Sequence, residues 1–360
     1  MKEIQTLLEQ SSGARFLAAD LHIHTQASPD TDKKWQALGP EEVVNQALAK
    51  GLDIIAVTDH NTAEYCDKVI DAAQGTTLHV FPGVEISTRQ GHLLAIFETD
   101  KTSETINGFL MNAGIKQAEL GKDSALATGN MDEVAKLVEE VGGVAIAAHV
   151  DGEKGFMRMV KVGADKARIH ACRAIRAFEI TDTAKRDVYL GGKMPGYSRR
   201  VPCVQSSDCH EAEGGGFHQL DSIGSRLCFL KMDDISIQGI KQALLDPDMR
   251  VRFVADPSPE PEYVIEGLWV NGGFLQGQQF RFSDHVSCLI GGTGVGKSLT
   301  VELIRFVFDR MRRSSLRRAI VLLPRSSVLR SLCRPRRWVV QMGPRVRLRQ
   351  DRHRASEAVA

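Results

Sequence analysis

The stretch that most constrains this chain is Ala19-Asp20-Leu21-His22-Ile23-His24-Thr25, which follows the apolar run Phe16-Leu17-Ala18. It reads as the end of a first strand. Residues two apart on a strand point to the same side, so His22 and His24 aim two imidazoles at one point. Such a pair can begin a metal site, and two ordinary strand histidines give the same pattern. The later strand ends favour the metal. His60, Glu85, His149, Asp208 and His210 all close or follow apolar runs, and a purely structural set of histidines has no reason to gather there.

The runs alternate with helical segments. Pro40-Glu41-Glu42 opens a helix with proline in its first turn, Val43, Val44, Ala47 and Leu48 form its apolar face, and Gly51 ends it. Asp53 to Thr58 reads as a buried parallel-type strand and a helix over about 62–73 follows it. Leu78 to Glu85, Gly91 to Phe97, Gly143 to Ala148, Ala177 to Ile180, Pro202 to Ser206, Leu227 to Leu230 and Arg250 to Val254 are further strands. Asn130 with Glu133 forms a cap for a helix faced by Val134, Leu137, Val138 and Val141. Residues 99–128 are polar and read as a helical insertion or a lid. Alternating strands and helices imply a parallel sheet, and in a barrel of this kind functional groups sit at the C-terminal ends of the strands.

Six short motifs in this order resemble the PHP domain, the polymerase and histidinol phosphatase phosphoesterases. They are Asp20 to Thr25, Thr58-Asp59-His60-Asn61, Pro82-Gly83-Val84-Glu85-Ile86, Gly91-His92, Ala148-His149 and Ser207-Asp208-Cys209-His210. The resemblance spans about residues 16–255 and implies an α/β fold, a distorted (β/α)7 TIM-like barrel, with two or three divalent ions. It implies that His22, His24, Glu85 and Asp208 hold the first ion and that Glu85 bridges to a second with His92 and His149. Asp30, His60 and His210 would hold a third, with Asp30 the softest member. Glu85, Asp208 and His149 would carry the catalysis. Asp20 and Asp59 would fix imidazole tautomers from outside the ligand set.

Elementary chemistry supports the same centre. Mixed imidazole and carboxylate donors suit Zn, Mn or Fe rather than Ca or Mg alone. Clustered divalent ions lower the pKa of a bridging water, yielding hydroxide near neutral pH, and they offset charge that develops on phosphate. Arg89 and Lys154 follow strand-end motifs and could contact phosphate, although most such residues are solvated. His79, His170, His218 and His285 read as core or surface histidines; Glu179 and Asp182 flank a strand end and could line the pocket, although an ordinary flanking role is more expected of them.

Asp256 to Glu262 is proline-rich and charged, a linker by composition. It separates residues 1–255 from a second segment over 263–308. There Val264 to Val270 and Val286 to Ile290 read as strands, the second leading into Gly291-Gly292-Thr293-Gly294-Val295-Gly296-Lys297-Ser298. That octet fits GxxxxGK[ST] before an apolar-periodic helix. The glycines Gly291, Gly294 and Gly296 let backbone N–H groups wrap phosphate, Lys297 reaches the terminal phosphates and Ser298 ligates Mg²⁺, so ATP with Mg is the expected ligand. Gly273 through Ser298 resembles the start of SMC-like and related AAA-type ATPases, and PHP barrels fused to such ATPases form a recognisable group.

Residues 309–360 hold 15 arginines, no lysine and three acids. The other residues hold 31 basic and 42 acidic side chains, so a net charge of +1 conceals two opposed regions. The tail reads either as a basic arm for nucleic-acid phosphates or as a stretch that does not continue the ATPase natively; no fold is assigned to it. No acidic Walker B strand follows the octet. Seven scattered cysteines without CxxC suit a reducing cytoplasm, and no run is apolar enough to cross a membrane.

The expected function is metal-dependent hydrolysis of phosphoesters, nucleic acid or nucleotide included, by metal-activated hydroxide, linked to an ATP-binding module. The alternative is an ATP-binding regulatory or nucleic-acid-associated protein in which the barrel keeps metals for structure.

Overall fold

The computed structural model describes the backbone of residues 6–210, 218–257, 264–270, 272–283, 285–313, 328–334, 337–343 and 349–350, with side chains as far as residue 306 except at 34 and 264. The chain divides into two compact units. One is residues 15–256; the other joins residues 1–14 to residues 257–360.

The first unit is built on nine strands: β1 Arg15–Ile23, β2 Ile54–Val57, β3 His79–Thr88, β4 Gly91–Ile96, β5 Val144–Ala147, β6 Ile175–Glu179, β7 Cys203–Val204, β8 Cys228–Met232 and β9 Val251–Phe253. Their order across the sheet is β7-β6-β5-β4-β3-β2-β1-β8-β9. β1, β2 and β3 pair in parallel, as do β5, β6 and β7. β4 runs against β3 and β5, and β8 runs against β1 and β9. The sheet is a nearly closed α/β barrel. Its strand count departs from the expected seven, since seven strands share one direction and two run against them. The reason is local. Arg89-Gln90 makes a tight turn between β3 and β4, so β4 returns antiparallel where a parallel neighbour would need a helical crossover.

The helices 40–49, 66–72, 131–140 and 237–245 cover the sheet where the apolar periodicity places them. Glu133 reaches back to the Asn130 N–H at 2.7 Å, which starts helix 131–140 as its capping pattern implies. Residues 99–128 contribute helix 103–112 and then a loop. β2 and β5 are buried along their whole length, which is why they read as continuous apolar runs. Each Ile or Leu of this core, such as Ile54, Ile55, Leu93 and Leu94, contributes about 2 kcal/mol by leaving water. Arg186, after β6, forms an ion pair with Asp256, donates to Val251 O at 3.1 Å and lies over the Phe253 ring. It ties the β6–β7 side of the sheet to β9.

In the second unit, β10 Val264–Val270 pairs antiparallel with β11 Gln279–Arg281. Leu7 is fully buried against Leu8 and Trp269, so the described residues 6–14 belong to this unit. The expected strand over Val286–Ile290 does not form: its backbone joins no ladder, and Val286 and Ile290 stay exposed. β10 already has a neighbour on each edge, β11 on one and Arg337–Gly343 on the other, so neither edge is left for it. Helix 297–313 begins at Lys297, immediately after the glycine-rich octet's loop. In the tail, Val328–Arg334 and Arg337–Gly343 pair as antiparallel strands. The expected linker at 256–262 and most of the tail lie largely outside the described residues.

Candidate metal centre

The strand directions gather the site. β1, β2, β5, β6 and β7 end at one rim, and the antiparallel β4 begins there. His22 and His24 leave the end of β1, His60 follows β2, His149 follows β5, Glu179 ends β6 and Asp208 follows β7. Glu85 comes from β3, and His92 sits near the start of β4.

His22 and His24 face each other with their Nε2 atoms 3.1 Å apart. Glu85 Oε2 lies 3.5 and 3.4 Å from them, and Asp208 Oδ1 lies 3.3 and 3.1 Å from them. The other ring nitrogens fix the tautomers. His22 Nδ1 donates to the Glu179 carboxylate at 2.9 Å. His24 Nδ1 donates to Ser28 Oγ at 2.8 Å, and that hydroxyl in turn donates to Asp59 Oδ1 at 2.7 Å. In the neutral rings both Nε2 atoms are then lone pairs set among two carboxylate oxygens, so a proton or a cation must stand between them; burial disfavours charge on His22, but Asp208, Glu179 and Glu85 raise its pKa well above the usual value. Four acceptors cannot satisfy one another, but they can share a cation. Donors placed about 2.0–2.1 Å from a tetrahedral ion stand about 3.3 Å from each other, the spacing found here.

Glu85 uses its second oxygen separately. Oε1 lies 2.7 Å from His92 Nδ1 and 3.0 Å from His149 Nε2. One carboxylate thus joins the first donor group to a second made of Glu85, His92 and His149. The charge states suit ligands. Burial disfavours charge on Glu85, yet His92, His60 and His22 hold its carboxyl well below the usual range. Burial opposes charge on Asp208 in the same way, and His22 and His24 hold it low. His60 is the exception: burial opposes its charged form, but Glu85 and Asp30 raise it to about 10, so it must give up a proton before it can act as a ligand.

A third grouping departs from the expected one. Asp30 Oδ2 is 3.3 Å from His60 Nε2, but the second imidazole beside it is His218, whose Nε2 is 3.1 Å away. His210 stands instead near Asp208, 3.8 Å from Oδ2, with its ring 4.6 Å from that of His218. Asp208 and Cys209 both adopt left-handed backbone, φ 54° and 48°, which turns the chain before His210. Asn61 and His149 are the other non-glycine residues with positive φ among those described. All four flank the donor groups, as strained backbone does where a site over-determines it.

Three residues of the rim have roles that the sequence does not assign. His218 carries no local signal, because long-range backbone pairing places it. Glu179 ends a strand and read as an ordinary flank, yet it holds the His22 tautomer and also accepts the His149 N–H at 2.8 Å. Asp123 comes from the polar insertion. Asn61 anchors that loop by donating to Lys122 O and Ala125 O at 2.8 and 3.0 Å, which brings Asp123 Oδ1 to 3.6 Å from His92 Nε2. Asp123 also pairs with Lys154 at 2.8 Å. Arg89 is exposed. Asp59 orients His24 only through Ser28. Asp20 touches no imidazole: it accepts from the backbone of Ser207 and Gly224, both at 2.9 Å, and burial raises its carboxyl to about 6. His79 and His170 belong to none of the donor groups among the described residues.

Residues 20–181 match the model of the PHP domain. Curated relatives cover part of the chain. A 5'-3' exoribonuclease of Haemophilus influenzae is 31% identical over 138 residues, 37% of this chain and 46% of that protein. An uncharacterized protein of Methanocaldococcus jannaschii is 26% identical over 139 residues, 37% of this chain and 67% of that protein. The chain therefore spans less than half the length of the exoribonuclease it matches. Among solved structures, the lesion-specific endonuclease PfuEndoQ from Pyrococcus furiosus aligns with a TM-score of 0.52 at 14% identity, covering 69% of this chain and 61% of that one. That likeness concerns the fold, and it agrees with the PHP match. No helix among the described residues is long and apolar enough to cross a membrane.

Proposed function

We propose that this protein is an enzyme, a metal-dependent hydrolase of phosphoester bonds, with nucleic acid or a nucleotide as substrate. The observation that carries the reading is the convergence of His22 Nε2, His24 Nε2, Glu85 Oε2 and Asp208 Oδ1 as four potential donor atoms within reach of one ion. These residues hold one divalent ion, and Glu85, His92 and His149 hold a second; Zn, Mn or Fe suits both donor sets. Bound there, such ions activate water and offset phosphate charge. The chain's own groups do the rest. Glu85 fixes the spacing of the two positions through its two oxygens. Glu179 holds His22 and His149 in their orientations. Asp208 and His149 are the less buried members and face the approaching substrate. Lys154, half-exposed and paired with Asp123 at the edge of the cluster, offers a cation to a phosphate oxygen. The names of the relatives, an exoribonuclease and a lesion-specific endonuclease, favour a nucleic-acid substrate.

The test is hydrolysis of bis(p-nitrophenyl) phosphate and of 5'-labelled RNA and DNA, each with Mn²⁺, Zn²⁺ or Fe²⁺. Turnover that depends on metal and disappears in His22→Ala is the expected result. Absence of turnover on every phosphoester with every metal overturns the reading.

A nucleotide-binding role for Gly291 to Ser298 is part of the same proposal. Gly294 and Gly296 have positive φ, and helix 297–313 starts directly after them. Lys297 Nζ folds onto the carbonyls of Gly291 and Gly292 at 2.7 and 2.5 Å, the posture of a lysine whose anion partner would replace them. A cavity of about 290 Å³ beside the loop is lined by Phe274, Leu275, Phe280, Lys297 and Thr300. ATP binding measured by calorimetry on the full chain and on Lys297→Ala tests it; equal binding by both sinks it.

A further inference from the structure

We propose that Arg89, Lys122, Lys154 and Arg158 form a cationic shelf beside the metal centre that seats the phosphate backbone of a polynucleotide strand. The inference rests on the hydrolase reading above and narrows it to a substrate with further phosphates beside the scissile one. The four cations come from three separate stretches: the turn between β3 and β4, the polar insertion and the segment after β5. Each stretch also carries or adjoins a metal donor. Arg89 stands three residues before His92, and Lys154 five residues after His149. Lys122 is held through its carbonyl by Asn61, the neighbour of His60. Among the described residues Arg89, Lys122 and Arg158 are exposed and form no ion pair, whereas Lys154 is paired with Asp123. Glu153 is the exposed acid beside them. Outside residues 309–360 the chain is acidic, with 31 basic and 42 acidic side chains. A group of unpaired cations beside the donors of such a chain draws a polyanion to that spot and holds its backbone. A substrate with a single phosphate engages the donors and Lys154; a strand has further phosphates for the other three.

Backbone contacts lock the three stretches together. The His92 N–H donates to Lys154 O at 3.3 Å. Gly91, at φ 127°, comes so close to the segment after β5 that a Cβ there would meet Lys154 O at 2.6 Å and the Phe156 nitrogen at 2.9 Å, so this approach needs glycine. Asn61 O accepts the Gly121 N–H at 3.1 Å, and Ser87 O accepts the Ala127 N–H at 2.9 Å, which pins the insertion at both ends of the Lys122 loop. The Lys154–Asp123 pair, at 2.8 Å, closes that loop onto the segment after β5. The Arg158 N–H donates to Gly155 O at 3.0 Å within the short helix 156–159. The charges therefore ride on backbone that is fixed relative to His92 and His149.

The experiment measures kcat/KM of the full chain with Mn²⁺ on labelled single-stranded RNA and DNA over a range of salt. It also measures the rate on bis(p-nitrophenyl) phosphate, which has no flanking phosphate. Lys122→Gln/Arg158→Gln is compared with Lys50→Gln/Lys193→Gln. Lys50 and Lys193 are exposed cations that precede β2 and β7, at the opposite end of the barrel. In the first variant kcat/KM on the strand is expected to fall about ten-fold at about 0.1 M salt, and the slope of its logarithm against the logarithm of salt to flatten by about 1.4, which is twice the roughly 0.7 of one single-strand phosphate contact. Its rate on bis(p-nitrophenyl) phosphate is expected to stay, and the second variant is expected to match the native chain on all three substrates. Equal strand cleavage and equal slope in the native chain and the first variant overturn the surface and leave the hydrolase reading. An equal fall in both variants overturns it too, because net charge alone then accounts for the loss. Native turnover of bis(p-nitrophenyl) phosphate but of neither strand has the same meaning. No turnover of any of the three removes the hydrolase reading, and the surface with it.

Discussion

Glu179 accepts the Nδ1 proton of His22 at 2.9 Å and, through the same oxygen, the backbone N–H of His149 at 2.8 Å. One carboxylate at the end of β6 thus sets the tautomer of a histidine in the first donor group and the backbone of a histidine in the second. Partners of this kind commonly contribute about 10–100-fold to metal affinity or activity. Glu179→Gln keeps the shape and one acceptor oxygen but removes the charge. It is expected to weaken metal binding by about 10-fold at the low end of that range. Competition with a chromogenic chelator measures it, and an unchanged affinity refutes the role.

Glu85→Ala removes an oxygen from both groups at once. Metal-dependent hydrolysis is expected to fall by at least about 100-fold. The fold should persist, because β3 keeps its ladder with β4 through backbone atoms. A folded variant that retains most of its rate shows that the two groups do not work as a pair.

The two imidazoles of β1 and the donors after β2, β5 and β7 were legible because strand period and strand end are local properties. Glu85 and His92 were legible through their motifs. His218 was not: Asp30 and Asp32 place it by backbone pairing across some 190 residues of chain, and no local pattern encodes that. Asp123 depends in the same way on Asn61 anchoring a polar loop. His210 shows the opposite case. Its motif is present, but the left-handed Asp208-Cys209 step carries its ring toward Asp208 and His218. In the fold, the strands were visible but their directions were not, since β4 and β8 look like their neighbours until they pair. Val286 to Ile290 looked like a strand by composition, and composition does not supply a ladder partner.

His170 supplies a pH test away from the metal centre. It is buried against Phe178 and Tyr197, its Nε2 has no partner, and burial together with Arg199 lowers its pKa to about 4. The unfolded chain takes up this proton near pH 6.5, whereas the folded chain resists until about 4. The unfolded state therefore binds more protons between these values, and stability falls as pH drops from about 6.5 to about 4. Above that window the group has no effect. In His170→Phe the loss of melting temperature between pH 7 and pH 4.5 should be smaller than in the native chain. Parallel curves for the two proteins refute the assignment.

The two compact units lead to a separation of activities. A phosphate loop alone can bind nucleotide, but turnover also needs an acid for Mg²⁺ and a group that positions water. Residues 309–360 offer Asp309, Asp351 and Glu357 as their acids, and the sequence gives none of them the context of a Walker B acid. This chain is therefore expected to bind ATP without hydrolysing it. Every donor of the metal centre, from His22 to His218, lies within residues 15–256, whose sheet is closed by its own Arg186–Asp256 contact. A chain of residues 15–256 should then keep metal-dependent hydrolysis within about two-fold of the full chain, since sites without shared partners behave independently. The rates of both, measured on the same phosphodiester, check this. Loss of hydrolysis in the folded shorter chain refutes independence. ATP turnover by the full chain that Lys297→Ala abolishes refutes the first half.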